Sequence, residues 1–138
     1  MFLIGRLGRG GSLAVDVLIA EDEPSILESL DFILRRAGFS IEAVTDGDAA
    51  LSALRRDRPK VLVLDVMLPK RSGFEVLKLI RADDALKGLP VLILTAKGQA
   101  QDRRIAEELG ADSFVTKPYA NADVVGEVRR LMGPAASG

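Results

Sequence analysis

The sequence contains no cysteine, no histidine and no tryptophan. Without cysteine, disulfides and thiolate chemistry are excluded. Without histidine the usual general base is missing, together with most zinc sites and the Ser-His-Asp triad. Any catalysis must therefore run on carboxylates, hydroxyls, lysines and a hard metal. An excess of one charge is also lacking: 19 Lys and Arg face 20 Asp and Glu, for a formal net charge of -1. That balance gives no electrostatic case for nucleic-acid binding. Long apolar runs are absent too, and no stretch approaches the ~20 apolar residues that a membrane span needs. The expectation is a cytoplasmic protein. Its 138 residues suit one domain, which should bury roughly 70% of its unfolded surface.

What is present is organised around Val61-Leu62-Val63-Leu64-Asp65-Val66-Met67-Leu68-Pro69. Four aliphatic residues in a row read as a strand buried on both faces, as in a parallel sheet. The run meets a carboxylate at Asp65, and Pro69 stops any continuation. In open α/β sheets, ligands bind just outside the carboxyl ends of the strands. Asp65 stands where such a fold keeps its chemistry.

The rest of the chain alternates around this strand. Val15–Ala20 is an apolar strand running into Glu21-Asp22-Glu23-Pro24, and Ser25–Ala37 carries Ile26, Leu27, Leu30, Ile33 and Leu34 at helical spacing, closed by Gly38. Phe39–Val44 alternates as a shorter strand, and Asp46-Gly47-Asp48 opens a helix. Ser72-Gly73 opens the next, Val91–Leu94 is a second fully apolar strand, ending at Thr95, and a helix covers about Gln101–Leu109. Phe114-Val115-Thr116 is a short strand before Lys117-Pro118, and Asp123–Met132 is the last helix. Five β/α units in alternation make a doubly wound parallel sheet. Residues 1–14, with four glycines, read as a flexible tail, an extended translation start or an expression remnant. Residues 15–132 form the folded domain, and 133–138 a second loose tail.

The strand ends collect Glu21, Asp22, Asp65, Thr95 and Lys117. Each has an ordinary reading: Asp22 as a helix cap, Thr95 as a β-branched strand end, Lys117 as a solvated charge. Five such residues on one sheet edge are harder to attribute to chance. Two carboxylates ~4 Å apart repel by about 4 kcal/mol at an effective dielectric near 20. Three need more compensation than Lys117 alone supplies. With oxygen ligands only, Mg²⁺ is the natural partner. A carboxylate beside it, with an ammonium and a hydroxyl at hand, suits acceptance of a phosphoryl group, which is mostly positioning and charge neutralisation.

In Val17–Pro24, Val63–Pro69, Leu94-Thr95-Ala96-Lys97-Gly98 and Gly110–Tyr119 the chain resembles the response-regulator receiver domains of two-component signalling. The resemblance covers about residues 15–132. It implies a flavodoxin-like sheet of strand order 2-1-3-4-5 with helices on both faces. It implies Asp65 as phospho-acceptor, and Mg²⁺ held by Glu21 and Asp22, directly or through water, with Asp65 and the backbone carbonyl of Met67. Thr95 and Lys117 would bind phosphoryl oxygens, Phe114 would be the aromatic switch residue, and the Lys117–Pro118 peptide would be cis. The partners implied are a sensor histidine kinase or phosphotransfer protein, and a downstream protein on the face of the fourth helix, fifth strand and last helix.

Two departures stand out. Glu21 occupies a position where many members have Asp, which should preserve metal binding. The segments around Asp65 and Lys97-Gly98 look most like receivers of the winged-helix transcription-factor subclass. There a basic residue usually stands in the last helix where this chain has Glu127, and an acid where it has Ser113. The expectation is a stand-alone receiver, or a receiver fragment of a longer protein, that binds no nucleic acid directly. Two other readings compete. A haloacid-dehalogenase-like phosphatase needs an acid two positions after its nucleophile, where Met67 stands. A non-phosphorylated interaction module would be expected to lose at least one of Asp22, Asp65, Thr95 and Lys117.

Overall fold

The computed structural model describes residues 15–96 and 100–133. Residues 1–14 and 134–138, most of the two tails read above, and the Lys97-Gly98 motif lie outside the described residues. Among the described residues ten elements alternate: β1 Val17–Ala20, α1 Pro24–Arg36, β2 Ile41–Val44, α2 Gly47–Arg56, β3 Val61–Asp65, α3 Gly73–Ala82, β4 Val91–Thr95, α4 Ala100–Glu108, β5 Ser113–Thr116 and α5 Asn121–Met132. The strands form one sheet of order β2-β1-β3-β4-β5, and every pair is parallel. This is the flavodoxin-like arrangement expected from the alternation and the resemblance.

Period-two alternation sorts the strand residues to two faces. Leu18, Ala20, Leu62, Leu64 and Ile93 pack with Ala50, Leu51, Leu54, Val76, Leu77, Ile80 and Ala106, which come from α2, α3 and α4. Val17, Ile19, Val63, Leu92, Leu94 and Val115 pack with Leu30, Ile33, Leu34, Val124 and Val128 of α1 and α5. Every residue of β1, β3 and β4 is buried, which is why their sequences are apolar, without alternation, up to Asp65 and Thr95 at the ends of β3 and β4. Edge strands β2 and β5 keep exposed positions.

Local chemistry sets the helix ends. The Asp46 carboxylate accepts the Ala49 N–H at 2.7 Å and caps α2. Ser72 and Glu75 form a reciprocal capping box at the start of α3. Several boundaries differ from the sequence reading: β1 begins at Val17 instead of Val15, and α1 and α4 each lie one residue earlier. β2 begins at Ile41, because Phe39 N–H still bonds to Leu34 O and Ser40 N–H turns aside to the Asp16 carboxylate. β5 takes in Ser113, whose position pairs with Leu92. α5 begins at Asn121, two residues before the first acidic side chain.

Candidate functional site

The carboxyl ends of β1, β3 and β4, with the β5–α5 connection, form one rim of the sheet. Register explains the meeting: Ala20 lies beside Leu64, and Asp65 beside Leu94. Glu21 and Asp65 therefore leave adjacent strands at nearly the same height, and Thr95 ends the next. Glu21 is fully buried and Asp65 is 4% exposed, whereas Asp22 is exposed. One oxygen each of Glu21, Asp22 and Asp65 lies within 4.8 Å of the other two. Lys117 extends from the far strand, its Nζ 3.0 Å from Glu21 Oε1 and 3.2 Å from Asp65 Oδ1. The other oxygen of Glu21 accepts the Glu23 N–H at 3.1 Å. The reading of Asp22 as a helix cap does not hold: the N-cap of α1 is Glu23, with no side-chain capping bond.

These residues floor an open cleft of about 730 Å³, walled on one side by Val66, Met67, Leu68, Pro69 and Ser72. Burial pushes the Asp65 carboxyl up, the Glu21 charge adds to that, and Lys117 pulls it partly back, leaving it at about 6. Burial works against the Lys117 ammonium, but its hydrogen bond to Glu21 and the charge of Asp65 outweigh this and hold its pKa above the usual lysine value. Tyr119, half-buried behind Lys117, is pushed up to about 12 by burial and by the Glu21 and Asp65 charges. Three carboxylates around one ammonium leave a local deficit of positive charge. An all-oxygen donor set of this kind fits a hard divalent cation, with Asp22 and the exposed Met67 segment at the open side.

Thr95 and Phe114 lie off the cleft floor. The Thr95 side chain is 2% exposed, and its hydroxyl faces that of Thr116 at 3.4 Å. Strand alternation puts Thr95 on the side of Ile93, and Phe114, paired with Ile93, is on that side too. Phe114 is half-buried, with the Arg103 guanidinium of α4 5.1 Å from its ring centroid. The sequence reading gives Thr116 only as a strand residue and assigns Arg103 no role. Thr116 precedes Lys117 and could have been found once the β4–β5 register was known; Arg103 depends on the rotation of α4 and carries no sequence signal. The Lys117–Pro118 peptide is cis, as expected. Between β5 and α5, the buried Ser113 donates to Glu127, which is also paired with Arg130 at 2.7 Å. The two residues that depart from the subclass pattern thus satisfy each other.

Among the described residues no helix is long and apolar enough to cross a membrane. The family described as response regulator receiver domain matches residues 17–129. The sensory transduction protein RegX3 of Mycobacterium tuberculosis is 41% identical over 116 residues, 84% of this chain and 50% of that protein. The DNA-binding response regulator MtrA of Mycolicibacterium smegmatis is 40% identical over 113 residues, 82% of this chain and 48% of that one. The chain spans about half the length of these curated relatives. Among solved structures, the receiver domain of sensor histidine kinase PA1611 from Pseudomonas aeruginosa PAO1, with a magnesium ion coordinated in its active site cleft, superposes with a TM-score of 0.80. It shares 27% identity, over 87% of this chain and 98% of that one. The matched span encloses every strand-end residue from Glu21 to Lys117, and the chain belongs to the receiver-domain family of two-component response regulators.

Proposed function

We propose that this receiver takes a phosphoryl group onto Asp65 and thereby switches a protein-binding surface. The observation that carries the reading is the triad of Glu21, Asp22 and Asp65 oxygens within 4.8 Å, with Lys117 bonded to two of them. Mg²⁺, when held by Asp22, Asp65 and the Met67 carbonyl, with Glu21 in direct or water-mediated contact, supplies the positive charge that the cluster lacks. The magnesium in the cleft of the PA1611 receiver supports this assignment.

The residues have separable tasks. Above about pH 6, Asp65 is ionised and nucleophilic. Its oxygen forms the new P–O bond as the donor's bond to phosphorus breaks. The chain has no histidine, so the donor is a phosphohistidine on a sensor kinase or phosphotransfer protein, or a small phosphodonor. Lys117 holds a phosphoryl oxygen and offsets its charge. Thr95 gives up its 3.4 Å contact with Thr116 to hold another. Phe114 then turns into the space vacated, and the face of α4, β5 and α5 changes for a partner to read. We assign that partner to protein and not nucleic acid, on the near-neutral charge of the chain. DNA contact of the kind named for MtrA would be the work of an output segment joined to the receiver. We read the chain as a phospho-acceptor and not a phosphatase, because Met67 stands where a dehalogenase-type enzyme needs its acid.

Acetyl phosphate with Mg²⁺ should add one phosphoryl group, and hydroxylamine should remove it, because an acyl phosphate is labile to nucleophiles. Asp65→Asn should remain unmodified in intact-mass spectra. The same phosphorylation in Asp65→Asn would sink the assignment, and steady turnover of para-nitrophenyl phosphate would favour the phosphatase reading.

A further inference from the structure

We propose that Asp46-Gly47-Asp48, at the start of α2, is a cradle that positions the wall of the acceptor cleft. The inference rests on the reading of that cleft as a Mg²⁺-assisted phosphoryl-acceptor site. In the sequence this tripeptide signals only a helix start. In the fold it meets Pro69-Lys70-Arg71, the far end of the β3–α3 connection, at three points in register. Gly47 N–H donates to Pro69 O at 3.1 Å. On one side of that bond the Lys70 ammonium lies 3.8 Å from Asp46 Oδ2. On the other, Arg71 Nε lies 2.7 Å from Asp48 Oδ1.

The connection needs such a hold. It starts at Asp65, carries Met67 and Ser72 along the cleft, and ends in the capping box of α3. Within it, Lys70 has φ of 69°, a backbone conformation that side chains other than glycine rarely adopt and that persists only where surroundings impose it. The fit leaves no slack at two glycines. A Cβ at Gly47 would collide with the Arg71 carbonyl oxygen and Cβ, and one at Gly73 would collide with the Asp65 carbonyl. The connection is thus clamped between the acceptor's own backbone and the first turn of α2. Asp46 serves twice: one carboxylate oxygen caps the helix and the other faces Lys70. Gly47 and Asp48 touch none of the proposed ligands, so they act as positioning residues through the Met67 segment.

The test is Mg²⁺ affinity by calorimetric titration, with amide exchange at Leu68 and Gly73 in the metal-free protein. Gly47→Ala must displace the connection, and because disturbing the support of metal ligands typically costs about 10–100-fold in affinity, its Mg²⁺ Kd should rise about tenfold. Leu68 and Gly73 N–H groups, both bonded to Val66 O, should exchange faster. Gly126→Ala adds a Cβ with nothing within 4 Å and should change neither readout. Asp48→Ala with Arg71→Ala should raise the Kd by about two- to fivefold, as suits an exposed pair, and the exchanged pair Asp48→Arg with Arg71→Asp should recover most of it. If Gly47→Ala fails to fold, the loss and recovery across the Asp48 and Arg71 variants decide. Folded Gly47→Ala with wild-type affinity and wild-type exchange overturns the cradle while leaving the acceptor reading intact. Absence of Mg²⁺ binding in the wild type overturns the acceptor reading, and the exchange rates still judge the cradle.

Discussion

Asp65→Asn should make the metal-free protein more stable at neutral pH, and the gain should vanish on acidification. Asp65 is 4% exposed and sits beside the buried Glu21, so its charged form is disfavoured in the fold. Its carboxyl is raised from 3.8 to about 6, by burial first and by Glu21 second, against the pull of Lys117. The sign follows from proton uptake: between about pH 4 and 6 the folded state holds a proton that the unfolded state has released. Stability from this group is therefore complete below about pH 4 and falls as pH rises through 6. The loss amounts to roughly 3 kcal/mol at most. Asparagine carries no charge to desolvate, keeps the shape and can still accept from Lys117. For a domain of this size the variant should melt about 4–10 °C higher near neutral pH, and at nearly the wild-type temperature near pH 4. Thermal melts followed by circular dichroism in EDTA measure both. Millimolar Mg²⁺ should narrow the neutral-pH gap, since it stabilises the wild-type fold by RT ln(1 + [L]/Kd). A variant that melts no higher at neutral pH, or higher by the same amount at both, would refute the electrostatic account of the cleft.

Asp22→Ala should abolish the Mg²⁺-induced rise in melting temperature at little cost to the metal-free fold, since Asp22 is exposed and caps nothing; a wild-type Mg²⁺ shift would rule out its coordination. Arg103→Ala removes a cation over the Phe114 ring at 5.1 Å, an interaction of about 0.5–1 kcal/mol. It should shift the free protein two- to fivefold towards the switched state. Amide chemical shifts that fail to move along the line from free to beryllofluoride-bound spectra would exclude this. The beryllofluoride-activated receiver should stay monomeric at micromolar concentration. Glu127 stands where the winged-helix subclass usually has a basic residue and is engaged with Ser113 and Arg130, while Arg129 bonds to Ala37 O and lies over Phe39. Light scattering that shows an activated dimer, unaffected by Glu127→Arg, would count against it.

Periodicity and strand-end chemistry are local, and the sequence alone determined what depends on them. Apolar runs at Val15–Ala20, Val61–Leu64 and Val91–Leu94 announced strands, and alternation with helices announced a parallel sheet. Parallel strands bring their carboxyl ends to one edge, so Glu21, Asp22, Asp65, Thr95 and Lys117 could be gathered without coordinates. Contacts between side chains obey no such rule. Whether Thr95 meets Thr116 depends on the β4–β5 register, and whether Arg103 covers Phe114 depends on how α4 is rotated against the sheet. Asp46-Gly47-Asp48 read as a helix start and is one, but its second role exists only because α2 and the β3–α3 connection, over 20 residues apart in the chain, pack at the same corner. Glu127 read only as an acid where the subclass carries a base; the packing of α5 against β5 gives it Ser113 as a partner within the domain. Sequence spacing specifies which face a residue occupies, because the backbone repeats; partners across elements are decided by packing, which no local repeat encodes.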